Sequence, residues 1–216
     1  MARKRGAYHG HPMGNGSNRA PGGVEHLVFL GRFLLHPRTV GAIAPSSRYL
    51  ARRMVAGIER SEELKVVELG PGTGALTGAI AGILPPGGRY LGIERDPVFV
   101  RILAQRWPQL ECVCDSVESL VSILDERGLL PVDHIVSGLP FASLPSAVTP
   151  PILDAIRNCL RPGGTFTTFQ YLHAYPLPAA RAFRAEMRER FGPPRERGIV
   201  VRNLPPCFVL TWRTPG

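Results

Sequence analysis

The sequence predicts an α/β protein, a parallel sheet covered by helices on both faces, and three observations carry that expectation. Apolar strand-like runs alternate with helical patterns from Lys65 to Phe191, the pattern of consecutive βαβ units. A glycine-rich turn, "VVELGPGTGALTG", stands between the first of these strands and the helix after it. The chain then closes on "GIVVRNLPPCFVLTWR", two strands around a short Asn-Leu-Pro-Pro turn. The sheet is therefore expected to finish with an antiparallel pair.

Taken in order, residues 1–22 are polar, glycine-rich and basic, with no acidic residue, and read as a flexible arm. His9 and His11 lie in it, and a single His-x-His is more often solvated than metal-bound. Residues 23–38 contain "VEHLVFLGRFLL", which on a helix gives a broad apolar surface with a narrow polar strip, limited by Pro37. Such a helix packs on a core or lies in the headgroup layer of a membrane. The remaining domain, 39–216, opens with Pro45-Ser46-Ser47-Arg48, where Ser46 or Ser47 suits a helix N-cap. Strands follow at Lys65–Leu69, Arg89–Glu94, Leu110–Cys114, Asp133–Val136 and Thr165–Gln170. The helices expected between and after them are Ala75–Leu84, Pro97–Trp107, Val117–Glu126, Thr149–Cys159 and Ala179–Phe191.

Lysine and arginine number 26 against 17 acidic residues, a net charge of +9. That excess implies attraction to a polyanion, either nucleic acid or an anionic membrane surface. Only Lys4 and Lys65 are lysines, so the basic groups are nearly all guanidiniums. No apolar run approaches the roughly 18 residues needed to span a bilayer, and the N-terminus has no apolar signal core. Cys112, Cys114, Cys159 and Cys207 form no CxxC pair and no zinc spacing, as expected of reduced cysteines in the cytosol.

The glycine-rich turn sets Glu68 just before Gly70, Gly72 and Gly74. Glycines there allow a tight turn and a close ligand approach, and the helix start favours electron-rich groups. A nucleotide-binding dehydrogenase is the usual competitor for such a loop. The GxGxG spacing, Glu68 and Pro71 shift the balance to a smaller ligand than a pyrophosphate. Glu94 ends the next strand, where a carboxylate can accept both ribose hydroxyls, and Asp115 ends the third, where it can take an adenine amine.

These residues resemble the class I S-adenosylmethionine-dependent methyltransferases over about residues 40–214. The resemblance implies a Rossmann-like, seven-stranded sheet with a reversed last strand and S-adenosylmethionine as cofactor. It implies that Glu68, Gly70, Gly72 and Gly74 hold the methionine part, Glu94 the ribose and Asp115 the adenine. Arg95, Ser116, Ser46 and Ser47 join that cofactor set. Within the class, "HPRTVGAIAPSSRYLARRM" looks like the opening of the bacterial phospholipid N-methyltransferases, and "SGLPF" and "RNLPPCFV" look like that family too. The implied reaction is methylation of phosphatidylethanolamine, and of its mono- and dimethyl derivatives, toward phosphatidylcholine. The implied location is cytoplasmic, peripheral on a membrane surface of anionic lipid.

An amine must be neutral to accept a methyl group. Candidates for handling its proton cluster in "FQYLHAYP": His173 as base, Tyr171 and Tyr175 as cation–π or hydrogen-bond partners. In "SGLPF", Ser137 with the carbonyls of Ser137 and Gly138 can accept hydrogen bonds, Phe141 offers an aromatic wall, and Leu139 lies between. Arg48 is the candidate for a lipid phosphate, with Arg202 and Asn203 on the same rim. The competing reading is an rRNA adenine N6-methyltransferase. Enzymes that methylate adenine amines carry Asn or Asp where this chain has Ser137, and no appended RNA-binding domain is expected, so nucleic acid is the weaker expectation.

Overall fold

The computed structural model describes residues 46–216, the side chain of Glu196 excepted. The arm expected over 1–22 and the amphipathic helix expected over 23–38 lie outside the described residues. Helix α1 spans Arg48–Val55, and β1 (Lys65–Leu69) leads through the glycine turn to a short α2 (Thr77–Ala81). Then come β2 (Arg89–Glu94), α3 (Pro97–Arg106) and β3 (Glu111–Cys114). A 3-10 turn at Val117–Ser119 runs into α4 (Leu120–Glu126), followed by β4 (Val132–Ser137). A second 3-10 turn, Phe141–Ser143, precedes α5 (Thr149–Cys159), β5 (Leu160–Tyr171) and α6 (Pro178–Phe191). The chain closes with β6 (Glu196–Val200) and β7 (Cys207–Arg213).

The seven strands form one sheet in the order β3-β2-β1-β4-β5-β7-β6. β1 to β5 pair in parallel, while β7 runs antiparallel to both β5 and β6. The order reverses at β1, which pairs with β2 on one side and β4 on the other, and such a switch point opens a crevice at the strand C-termini.

Strand periodicity decides what each face buries. Val67 and Leu69 of β1 join Phe166 of β5 and Phe208, Leu210 and Trp212 of β7 beneath α4, α5 and α6. Val66 of β1, Val136 of β4 and Cys207 and Val209 of β7 pack with Leu50 and Met54 of α1 and Ile80 of α2 on the opposite face.

The strand boundaries match the expectation to within a few residues except at β5, which begins five residues earlier than expected. The expected helix over 75–84 shrinks to α2, because Gly78 and Gly82 weaken its interior and the preceding residues stay in turns.

Candidate active site

Glu68 follows Val67 on β1, so its side chain points to the α2 face, where it is fully buried. Its Oε2 accepts hydrogen bonds from Thr77 Oγ1 at 2.8 Å and Tyr90 OH at 2.6 Å. Its Oε1 is buried without a hydrogen-bond partner. Burial raises the Glu68 carboxyl to about 7 against those two bonds, which favour the anion. Tyr90 is pushed well above its ordinary value, by burial first and by Glu68 beside it, and so remains a donor.

The glycine turn rises directly above. Gly72 has a φ of +56° and nothing within 4 Å of where a Cβ would stand, so the turn leaves open space there. Its amide donates to Glu94 Oε2 at 2.8 Å, and the Asp96 amide donates to Glu94 Oε1 at 3.0 Å. Glu94 is thus fixed at the end of β2 by two backbone donors, with lone pairs on both oxygens to spare. Gly74 is the opposite case: a Cβ there would run into the Trp107 ring. Asp115 is exposed beyond β3, where its Oδ1 accepts from the Ser116 amide at 2.6 Å, and Ser116 Oγ caps the turn at Glu118. Arg95 is exposed beside Glu94. An orphaned carboxylate oxygen below an open glycine turn fits a small cationic group, and Glu94 and Asp115 extend the acceptor row along three strand ends.

Across the switch point, the loop after β4 packs tightly on this turn. The Gly138 amide donates to the Leu69 carbonyl at 2.8 Å, and a Cβ at Gly138 would stand 2.8 Å from the Gly70 carbonyl oxygen. Leu139 packs over Gly70. Ser137 is fully buried. Its hydroxyl accepts from the Leu139 amide at 3.2 Å, and its carbonyl accepts from Thr168 Oγ1 at 3.2 Å. The expected acceptors of Ser137 are therefore already engaged in shaping the loop.

Phe141 is buried, stacked on Phe183 at 4.8 Å and edge-on to Phe166 at 6.0 Å. It belongs to the core beneath α6 rather than offering a free aromatic wall, because it starts the 3-10 turn that closes that layer.

The trio expected after the fifth strand begins on the last residue of β5, Tyr171, and is split between the two faces. Tyr171 packs on the α1 side, with exposed His173 stacked on it at 5.7 Å and 15°. Burial pushes the Tyr171 phenol up to about 12. Tyr175 packs on the other side against Phe208 at 4.4 Å, with the Arg184 guanidinium 3.7 Å from its ring centroid and Arg197 at 5.2 Å. Arg184 is itself held by Gln170 Oε1 at 2.7 Å. The expected cation-binding face of Tyr175 is thus taken by the protein's own arginines.

Two motifs far apart in sequence meet at the outer rim. Ser47 is the N-cap of α1 and accepts from the Leu50 amide at 3.2 Å. The Ser47 amide donates to Asn203 Oδ1 at 2.9 Å across 156 positions, and Asn203 Nδ2 donates to the Pro205 carbonyl at 2.7 Å. Asn203 is buried with both ends of its amide engaged, so it ties the β6–β7 turn to α1 instead of reaching a ligand. This tie brings Arg48 and Arg202 onto Tyr49. Arg48 Nη2 donates to the Tyr49 hydroxyl at 3.0 Å, and the two guanidinium carbons lie 5.0 and 5.2 Å from its ring centroid. The hydrogen bond from Arg48, then that from Arg202, holds the Tyr49 phenol below its ordinary value. Among the described residues, neither arginine has a carboxylate partner.

Thr77, Tyr90, Trp107 and Tyr49 escaped the sequence reading. Thr77 and Tyr90 had a signal, since period two sets Tyr90, paired with Val66, on the same sheet face as Glu68, and Thr77 opens the helix after the glycines. Tyr49 had none, because its role depends on a turn more than 150 residues away. All four described cysteines are free, and among the described residues no helix is long and apolar enough to cross a membrane.

Comparison with known proteins agrees with this geometry. The family described as methyltransferase domain matches residues 66–164. The ornithine lipid N-methyltransferase of Singulisphaera acidiphila is 35% identical over 186 residues, covering 85% of this chain and 93% of that protein. The ribosomal RNA small subunit methyltransferase A of Chlorobium phaeobacteroides is 27% identical over 110 residues, 50% of this chain and 39% of that one. Among solved structures, the 1,6-didemethyltoxoflavin-N1-methyltransferase of Burkholderia thailandensis, determined with S-adenosylhomocysteine, superposes with a TM-score of 0.64 at 19% identity. It covers 96% of this chain and 100% of its own, and at that identity it shows the fold alone.

Proposed function

The chain belongs to the class I S-adenosylmethionine-dependent methyltransferases, and on that premise we propose that it methylates the primary amine of a membrane aminolipid. Phosphatidylethanolamine is the substrate the sequence motifs favour. An ornithine-type amino-acid lipid is the second reading, favoured by the relative of 35% identity. Both carry an anionic group a short chain away from the amine. The observation that carries the proposal is the pair Arg48 and Arg202 on Tyr49, two arginines at the rim of the crevice with no carboxylate partner among the described residues. They suit a phosphate or a carboxylate, and Arg can hold either through paired N–H donors.

Glu68, Gly70, Gly72 and Gly74 are assigned to the methionine part, Glu94 with Arg95 beside it to the ribose, and Asp115 with Ser116 to the adenine. Bound there, S-adenosylmethionine supplies a methyl group on a sulfonium, so the new N–C bond forms as the C–S bond breaks and its electron pair returns to sulfur. The chain has two tasks in that step: to align the amine and to let it lose a proton. His173, exposed on Tyr171, is assigned to receive the proton. Replacing it with alanine then lowers turnover more at neutral pH than at alkaline pH; an equal loss at every pH reassigns it to positioning. Gly138 and Leu139, packed on the glycine turn, shape the passage between the two substrates.

The substrate assignment is tested by expressing the protein in a bacterial host that makes no phosphatidylcholine and profiling its lipids by mass spectrometry. New mono-, di- or trimethylated phosphatidylethanolamine supports the first reading, methylated ornithine lipid the second. A lipid profile identical to the empty-vector control defeats both.

A further inference from the structure

We infer that the β6–β7 hairpin tip is a membrane-penetrating wedge that sets the crevice against an anionic bilayer surface. The inference deepens the aminolipid reading and rests on it for the nature of the surface. Strand pairing carries the first step. β5 runs parallel to β4, and Tyr171 at its end pairs with Cys207, which in turn pairs with Val200. The tip, residues 201–206, therefore lies at the same sheet edge as the strand ends that carry Glu68, Glu94 and Ser137.

The second step is what the tip exposes. Val201 is 71% and Leu204 74% exposed, the two most exposed large apolar side chains among the described residues. Leu172, also exposed, is bonded to the base of the turn through its amide to the Pro206 carbonyl at 2.8 Å. A single exposed leucine needs no explanation; two apolar side chains on one turn, with a third against its base, form a patch that water disfavours.

Charge decides the occupant. Arg202 stands between Val201 and Leu204, and Arg48 shares Tyr49 with it. Apolar tips flanked by guanidiniums match an interface of acyl chains topped by anionic headgroups, and the chain's charge of +9 adds attraction at longer range. The turn is stiffened for insertion by Asn203, which is bonded to both Ser47 and Pro205.

The test uses the full chain and vesicles of phosphatidylglycerol and phosphatidylcholine. Val201→Ser/Leu204→Ser is expected to weaken cosedimentation about tenfold or more, since both side chains lose their transfer into lipid. Because both positions are exposed, S-adenosylmethionine affinity and turnover on detergent-dispersed aminolipid are expected to stay at the parent level. A Leu204→Trp variant is expected to gain blue-shifted emission on these vesicles, and not on vesicles of phosphatidylcholine alone. Unchanged cosedimentation of the double serine variant overturns the wedge, as does an unshifted emission from the vesicle-bound Leu204→Trp variant. So does a self-associating parent whose dimer alone is lost in the serine variant, because the tip would then face a second copy. If the parent binds vesicles through the tip but methylates no dispersed aminolipid, the wedge stands and the substrate reading falls.

Discussion

The two halves of the sheet's C-terminal edge are built on different plans. On the β1–β3 side the two glutamates are buried and held before any ligand arrives, while Asp115 and Arg95 stay exposed. Glu68 is fastened by Thr77 and Tyr90, and Glu94 by the amides of Gly72 and Asp96. On the β4–β7 side, Arg48, Arg202 and His173 stand at the surface, and the groups that organise them are half-buried or buried: Tyr49, Ser47, Asn203 and Tyr171. The contrast fits a small constant cofactor on one side and a substrate presented by a large surface on the other. A fixed ligand rewards preorganisation; a headgroup in a moving bilayer rewards exposed guanidiniums that can follow it.

The largest effect is expected where that preorganisation is deepest. Glu68→Gln keeps an acceptor for Thr77 and Tyr90 but removes the charge, and should weaken S-adenosylmethionine binding roughly tenfold to a hundredfold by calorimetry. The same carboxyl makes binding pH-dependent. Burial raises it from 4.5 to about 7, so folding favours its protonated form, a contribution complete below about pH 4.5 and lost as pH rises through about 7. A cationic cofactor prefers the ionised form. Affinity is therefore expected to rise severalfold from pH 6 to pH 7.5, with a proton released on binding, and to lose that slope in Glu68→Gln. A flat profile in the parent protein would separate Glu68 from the cofactor.

Next in size is the tie between the motifs on the substrate side. Asn203→Ala leaves the Ser47 amide and Pro205 carbonyl short of a partner and should destabilise the fold by about 1–3 kcal/mol, read from the denaturant midpoint at unchanged slope. Its effect on S-adenosylmethionine affinity should be small. If the two fall together, the halves are not independent.

A smaller change is expected from Arg48→Ala/Arg202→Ala, which should raise the KM for vesicle-borne lipid about fivefold to tenfold and lower the salt sensitivity of the reaction. A fall in kcat at unchanged KM would move these arginines from binding to the chemical step.

The same division explains how much could be read in advance. The sheet, its reversed last strand and the acidic residues at three strand ends were legible because each follows from local spacing: period two in the strands, glycines in the turn, a carboxylate at each exit. The substrate side was legible as motifs but not as contacts. Arg48 and Arg202 were recognisable as candidates, yet Tyr49 between them depends on a pairing of segments more than 150 residues apart. Phe141, Tyr175 and Asn203 looked available in sequence and are spent on packing or tying, because burial is a property of the fold. Ser137 is the intermediate case: its position at the end of β4 was foreseeable, the engagement of its hydroxyl by the Leu139 amide was not.

The proposed division is of a cofactor-binding half joined to a half that meets lipid. It is tested most directly by offering the purified protein methyl-labelled S-adenosylmethionine together with phosphatidylethanolamine vesicles, ornithine-lipid vesicles and ribosomal RNA in one reaction. The label is expected in the amine of a vesicle lipid, and to disappear from it in Glu68→Gln. Label found in RNA, with both lipids unlabelled, would contradict the account.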